Sequence, residues 1–226
     1  MSVPIAVVGT DTGVGKTVVT AGLTRWLREQ GIDARAIKPA QTGFPPDDDA
    51  GFVAEACGDP DAATCCRYLE PPLAPRVAAA RSGEELTYES ILTACREAIA
   101  EAEQPIVEGI GGLRVPLSGD HEVVDLVADL EATALVVTRS GLGTLNHTAL
   151  SVEALERRGI DVAGIVCNEY AGETVAERTN PAELERMTGH DITTVPPLEG
   201  ETPRAMADGV ADGLSATVLK QIVTDD

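Results

Sequence analysis

The chain has 226 residues, 43% of them hydrophobic, with 37 acidic against 17 basic side chains and a formal charge of −20. At ~100–200 residues per domain this reads as a single domain spanning 1–226 with enough apolar content for a core, which excludes a disordered acidic protein. So negative a field repels phosphate backbones and anionic lipid, so no nucleic-acid or membrane-surface partner is expected, and any anionic ligand must be met by local cations.

In chain order, the opening MSVPIAVVGT has no basic leader region, and no apolar run reaches the ~18 residues that a bilayer span needs. The apolar, β-branched runs 3–8, 34–37, 104–107, 133–138, 162–167 and 192–195 read as strands. Between them, 16–30, 88–103, 146–158 and 181–188 have helical spacing. Continuous runs such as IAVV and ALVV suit strands covered on both faces. Strand and helix in alternation predict an α/β fold: a doubly wound, mainly parallel sheet with helices on both faces. Gly31 and Gly159 follow basic helix ends as C-terminal glycines, and Thr87 and Asn180 are expected N-caps. The least regular stretch, 44–81, is rich in Pro, Asp and Ala. A long excursion after the second strand of such a sheet belongs near the ligand crevice. The tail beyond Gly200 reads as one amphipathic helix packed on the sheet.

After the first strand comes Gly9-Thr10-Asp11-Thr12-Gly13-Val14-Gly15-Lys16-Thr17, leading into a helix. Strand, glycine-bearing loop, Gly-Lys-Thr and helix is the P-loop arrangement. Its backbone N–H groups and helix N-terminus face phosphate, Lys16 reaches the outer phosphates and the Thr17 hydroxyl binds Mg²⁺. The first glycine, Gly9, stands six residues before Gly15 rather than five, yet strand and helix sit where the mechanism needs them. The glycine spacing does not fit a dinucleotide loop.

Lys38 ends the second strand in Lys38-Pro39-Ala40-Gln41-Thr42-Gly43, beside the crevice. Lysine is scarce, with Lys16, Lys38 and Lys220 against fourteen arginines. Two lysines on one anion suit phosphoryl transfer, and Gln41 and Thr42 are placed to hydrogen-bond a substrate. Glu108, followed by Gly109-Ile110-Gly111-Gly112 after the third strand, is a candidate Mg²⁺ ligand. Residue type alone leaves open which of Asp47, Asp48 and Asp49 joins it, since such a run also suits a helix start. Arg139-Ser140-Gly141-Leu142-Gly143 would allow close backbone approach to ligand or a neighbouring subunit. His147 reads as structural, with no nucleophile paired to it, and Asn168 reads either as a purine-edge amide or as a turn residue.

Five cysteines (Cys57, Cys65, Cys66, Cys95, Cys167) form no CxxC pair and three histidines are scattered, so no metal-ligand spacing appears and a reduced, cytoplasmic protein is expected. The Lys-poor acidic balance suits a salt-rich cytoplasm, where molar salt cuts the screening length to ~3 Å. The melting temperature is therefore expected to rise from low to molar KCl, and a flat profile would contradict this.

With these motifs in this order, the chain resembles the dethiobiotin synthetase family over about residues 3–200; the GTDT opening joined to KPxxTG is the specific part. The resemblance implies a P-loop NTPase-like fold and an ATP- and Mg²⁺-dependent cyclo-ligase that takes 7,8-diaminononanoate and CO₂ to dethiobiotin. It also implies a homodimer. Lys38, Lys16 and Thr12 would be catalytic, and Thr42 would meet the substrate. The nucleotide would be held by Gly13, Val14, Gly15, Lys16, Thr17 and Val18, and bordered by Gly109, Ile110 and Gly111. Asn168, Glu169, Pro196, Pro197 and Leu198 would line the adenine pocket. The family's metal aspartate precedes alanine at a helix start, which selects Asp49 to join Thr17 and Glu108 on Mg²⁺. Gly13 and Pro197 stand where some members carry Glu and an aromatic residue. Of the rivals, cobyrinate amidoligases usually add a glutamine-hydrolysing domain. Nucleotide switches of the septum- or plasmid-positioning type carry a second lysine in the loop, where this chain has Asp11 or Thr12.

Overall fold

In a computed structural model, which describes residues 2–214, the run of apolar residues near the start forms β1 (Ile5–Gly9) and leads through the glycine loop into α1 (Lys16–Glu29). There follow β2 (Ala34–Lys38), β3 (Gln41–Thr42), α2 (Asp49–Cys57), β4 (Ala63–Cys65), β5 (Tyr68–Leu69), α3 (Pro75–Ser82) and α4 (Tyr88–Ala100). The second half runs β6 (Gln104–Gly112), β7 (Pro116–Ser118), β8 (His121–Glu122), α5 (Val123–Asp129), β9 (Thr133–Arg139) and α6 (Thr144–Glu156). It closes with β10 (Val162–Asn168), α7 (Val175–Thr188), β11 (Ile192–Thr194) and α8 (Pro203–Gly213).

Seven strands pair in the order β11-β10-β9-β1-β6-β2-β4, every neighbour parallel. Side chains alternate across β1 and so divide between two cores. Ile5 and Val7 pack with Val19, Leu23 and Leu27 of α1 and Val210 of α8. Ala6 and Val8 pack on the other face with Leu92 of α4, Val124 of α5 and Leu155 of α6. The sheet is thus covered on both sides, as the unbroken apolar runs predict. Because β1 lies between β6 and β9, its carboxyl end opens at the point where the winding reverses, which is where such sheets bind ligands.

Three expectations are corrected. Asn180 does not cap a helix: α7 starts earlier, at a capping box in which Thr174 and Glu177 satisfy each other's backbone, and Pro181 lies inside the helix. Asn180 Nδ2 instead donates to the carbonyls of Ser140 and Gly141, at 2.9 and 3.1 Å. The irregular stretch after the second strand contributes the edge strand β4, which pairs with β2. The third predicted strand continues past Val107 to Gly112, so Glu108 lies within β6, opposite Val7. The tail expectation falls on α8, whose Val210 packs closely on α1. A Cβ on Gly22 would come within 2.6 Å of Val210, so a glycine is required for this approach. Its remainder, 215–226, lies outside the described residues. Among those described, no helix is long and apolar enough to cross a membrane.

Candidate active site

The phosphate loop is built by its glycines. Gly13 and Gly15 have φ of 69° and 95°, the left-handed region that only glycine enters without strain. Gly15 is also the N-cap of α1, with no side-chain cap and no acidic residue in the first turn. The leading N–H groups of the helix therefore remain for an anion. Lys16, 7% exposed, turns its Nζ back to donate to the Asp11 carbonyl at 2.9 Å. Burial, and after it the nearby Lys38 ammonium, lower the Lys16 pKa to about 8.

Beside this loop, β2 and β6 carry Lys38 and Glu108 to one point. Lys38 Nζ lies 2.8 Å from Glu108 Oε1 and 2.5 Å from Asp49 Oδ2. It also donates to the Gly109 carbonyl at 3.3 Å. The Thr17 hydroxyl donates to the same Glu108 oxygen at 2.9 Å. Lys38 is 5% and Glu108 2% exposed. Burial disfavours the Lys38 charge, but Glu108 and Asp49 outweigh it and raise the pKa. Glu108 is pushed up, chiefly by burial, with Lys38 opposing. At Asp49 burial acts upward too, yet the Lys38 ammonium prevails and the pKa falls.

The acidic triplet divides by role. Asp48 caps α2 by accepting from the Gly51 N–H at 2.9 Å, while Asp49, the first helical residue, reaches Lys38. Gln41 holds that helix start, its Oε1 accepting from the Asp49 N–H at 3.1 Å and its Nε2 donating to the Thr42 carbonyl at 2.9 Å. Its amide is thus already bonded to the helix start. Thr12, Gly13, Gly15, Lys16, Thr17, Val18, Lys38, Gln41, Thr42, Asp49, Glu108, Ile110 and Gly111 all border one open cavity of about 1040 Å³.

The remaining expected ligand residues, Gly109 among them, are not in its lining, though Gly109 accepts from Lys38 and Asn168 packs against Gly15. Val14 is buried, and Asn168 at the end of β10 donates from Nδ2 to the Val14 carbonyl at 3.1 Å. Asn168 Oδ1 is buried without a hydrogen-bond partner, an acceptor that invites a donor from outside the protein. Glu169 is exposed with φ of 53°. Pro196 and Pro197 are exposed and Leu198 half-buried against the α1-side core.

Two features had no signal in the sequence. Thr138 lies 3.2 Å from the Thr10 hydroxyl, 2.7 Å from that of Thr144 and 2.9 Å from that of Thr148. These hydroxyls, buried at Thr138, Thr144 and Thr148 and half-buried at Thr10, join the loop entrance to the start of α6. Arg139 donates to the Thr12 carbonyl at 3.1 Å, tying the loop after β9 to the phosphate loop. Threonines at four separate places in the chain reveal such a cluster only once the strands are paired.

Two carboxylates and a hydroxyl converge as hard oxygen donors. This set fits Mg²⁺, which is bound through one or two carboxylates and leaves its other positions to water and phosphate. No cluster of three or more His, Cys, Asp or Glu forms a closed metal cage among the described residues.

A family profile described as an AAA domain matches residues 4–204. The chain is 59% identical to the ATP-dependent dethiobiotin synthetase BioD of Haloferax mediterranei, over 98% of this chain and 95% of the relative. It is 34% identical to the protein of that name from Aquifex aeolicus, over 92% and 96% of the two chains. Among solved structures, the cell division ATPase MinD of Pyrococcus furiosus matches with a TM-score of 0.57 at 18% identity, covering 94% of this chain and 98% of that one. A ParA family ATPase from Chlorobium tepidum matches with a TM-score of 0.60 at 17% identity, covering 97% and 92%. The structural likenesses establish the P-loop NTPase fold, and the sequence relatives go further: the chain belongs to the ATP-dependent dethiobiotin synthetase family.

Proposed function

We propose that the protein is an ATP-dependent ligase of biotin biosynthesis that closes the ureido ring of dethiobiotin from 7,8-diaminononanoate and CO₂, with the catalytic residues at the cavity over β1, β2 and β6. The observation that carries this reading is the meeting of Lys16, Lys38, Glu108, Asp49 and Thr17 in that cavity. One amine of the substrate attacks CO₂, forming an N–C bond and losing a proton to solvent. The carbamate oxygen then attacks the γ-phosphorus of ATP, and ADP leaves. The second amine attacks the carbamoyl carbon and loses a proton to solvent, and the C–O bond to phosphate breaks, releasing inorganic phosphate.

Each step concentrates negative charge, and catalysis is mainly positioning and neutralisation. Lys16 and the α1 N-terminus bind the phosphates, Lys38 neutralises the carbamate and the transferring phosphoryl group, and Thr12 and Thr42 orient the diamine. Thr17, Asp49 and Glu108 would hold Mg²⁺, which supplies further charge neutralisation at the phosphates. The free Oδ1 of Asn168 suits the exocyclic amino group of adenine, with Glu169, Pro196, Pro197 and Leu198 alongside. Gly13, Val14, Gly15 and Val18 would complete the loop, with Ile110 and Gly111 on the cavity wall and Gly109, whose carbonyl accepts from Lys38, beside them in β6. Leu142, 94% exposed in the loop that Arg139 ties to Thr12, and Leu150, 57% exposed on α6, offer an apolar surface suited to a second copy and so to a homodimer. All five cysteines are free, in keeping with a cytoplasmic setting.

The test is phosphate release by purified protein with ATP, Mg²⁺ and bicarbonate. Release is expected only when the diamine is present; equal turnover without it would favour a nucleotide switch.

A further inference from the structure

We propose that the Lys38 ammonium is a built-in occupant of the carboxylate pair Glu108 and Asp49, holding the metal-binding oxygens closed until a divalent cation displaces it, so that metal entry is what frees Lys38 for the reaction. This rests on the reading of Glu108 and Asp49 as metal carboxylates given above.

The geometry is one of competition. The ammonium takes one oxygen from each carboxylate, at 2.8 and 2.5 Å, and the Thr17 hydroxyl shares the Glu108 oxygen. A buried carboxylate requires a counter-charge. Glu108 is 2% exposed, and Lys38 is the cation bonded to it among the described residues. Lys16, the other lysine of the cavity, is turned to the Asp11 carbonyl instead. A dication and an ammonium cannot both take the same oxygens, because like charges this close repel strongly in a protein interior. A metal that takes Glu108 Oε1 and Asp49 Oδ2, the oxygens the ammonium now holds, therefore drives Lys38 off them. An ammonium on a four-carbon stem is well made for such a move, and the cavity it borders gives it somewhere to go. Two tasks, stabilising the metal-free site and meeting the anionic reaction centre, thereby fall to one side chain in succession.

The test uses Mn²⁺ alone, without nucleotide, with the free ion followed by its paramagnetic resonance signal. Lys38→Met removes the resident charge while keeping length, and the Mn²⁺ dissociation constant is expected to fall at least tenfold relative to the unmodified protein. Adding Asp49→Asn to Lys38→Met should reverse the gain. Equal or weaker Mn²⁺ binding by Lys38→Met would overturn the proposal. Should that variant fail to fold, the unmodified protein answers the same question through acetylation of Lys38 by acetic anhydride, read by peptide mass spectrometry. Mn²⁺ should raise the rate at least threefold, and an unchanged rate overturns the proposal. These readouts are separate from catalysis: diamine-dependent phosphate release can persist while either of them fails.

Discussion

Lys38→Gln is expected to lower kcat by roughly 10²–10³-fold, the range for loss of one preorganised charge-stabilising donor, while nucleotide binding survives. Lys38 is held at the carboxyl end of β2 within reach of the cavity, and its charge is maintained by Glu108 and Asp49 against the cost of burial. Glutamine keeps a hydrogen-bond donor but no charge. It leaves Lys16, the α1 N-terminus and the glycine loop untouched, and these hold the phosphates. The loss should therefore fall on kcat and not on the nucleotide dissociation constant, as measured by turnover and calorimetry on the same preparation. A variant that keeps a tenth of the parent activity would remove Lys38 from the chemistry.

Gly15→Ala is expected to weaken nucleotide binding by about a hundredfold or more, since the added Cβ displaces the loop whose N–H groups meet the phosphates. It should also destabilise the fold. Its φ of 95° costs an alanine ~1–2 kcal/mol. The new Cβ would come within 2.1 Å of Asn168 Nδ2, a packing conflict worth about 1–3 kcal/mol. A total near 3 kcal/mol corresponds to a fall in Tm of roughly 6–12 °C for a domain of this size. The clash has a second consequence. Asn168 must withdraw from the Val14 carbonyl, so the one substitution disturbs both the phosphate loop and the candidate base contact. Wild-type-like nucleotide affinity in Gly15→Ala would show that neither matters.

Much of this site was legible because the chemistry is concentrated in few residues. A glycine loop after a β-branched run needs only local spacing to declare itself, and Lys38 is marked by the scarcity of lysine and by its strand end. Alternation of strand and helix was equally local, and it yielded a two-faced parallel sheet. What escaped the sequence depends on distant pairing or on competing local rules. Pro181 looks like a helix start, but Thr174 and Glu177 form a stronger one a turn and more upstream, and the side chain of Asn180 is engaged elsewhere. The edge strand β4 is three residues long and stands in a stretch rich in turn formers. Of Asp47–Asp49, all of which border the cavity, backbone position decides which one meets Lys38. The residue that caps the helix is Asp48, so the next carboxylate is carried to Lys38. Gln41 stands in the cavity lining as its place after Lys38 suggests, and its hold on the start of α2 is a second role that the sequence did not show.

The acidic balance of the chain and the clustering of its lysines also become compatible in three dimensions. The charge of −20 is a property of the whole chain, whereas Lys16 and Lys38 share one cavity with each other and with the helix N-terminus. The same cavity is lined by Asp47, Asp48, Asp49, Glu55 and Glu108, so the two lysines meet an anionic reaction centre as individual donors, and the carboxylates leave room for a divalent cation to supply the remaining positive charge.

The central claim is that ATP hydrolysis here is coupled to making the ureido carbon, and isotope incorporation tests it most directly. With ¹³C-bicarbonate, the diamine and Mg-ATP, mass spectrometry should find one labelled carbon in each dethiobiotin formed, with one phosphate released per product. Phosphate release without labelled product, or at the same rate when the diamine is omitted, would contradict the account.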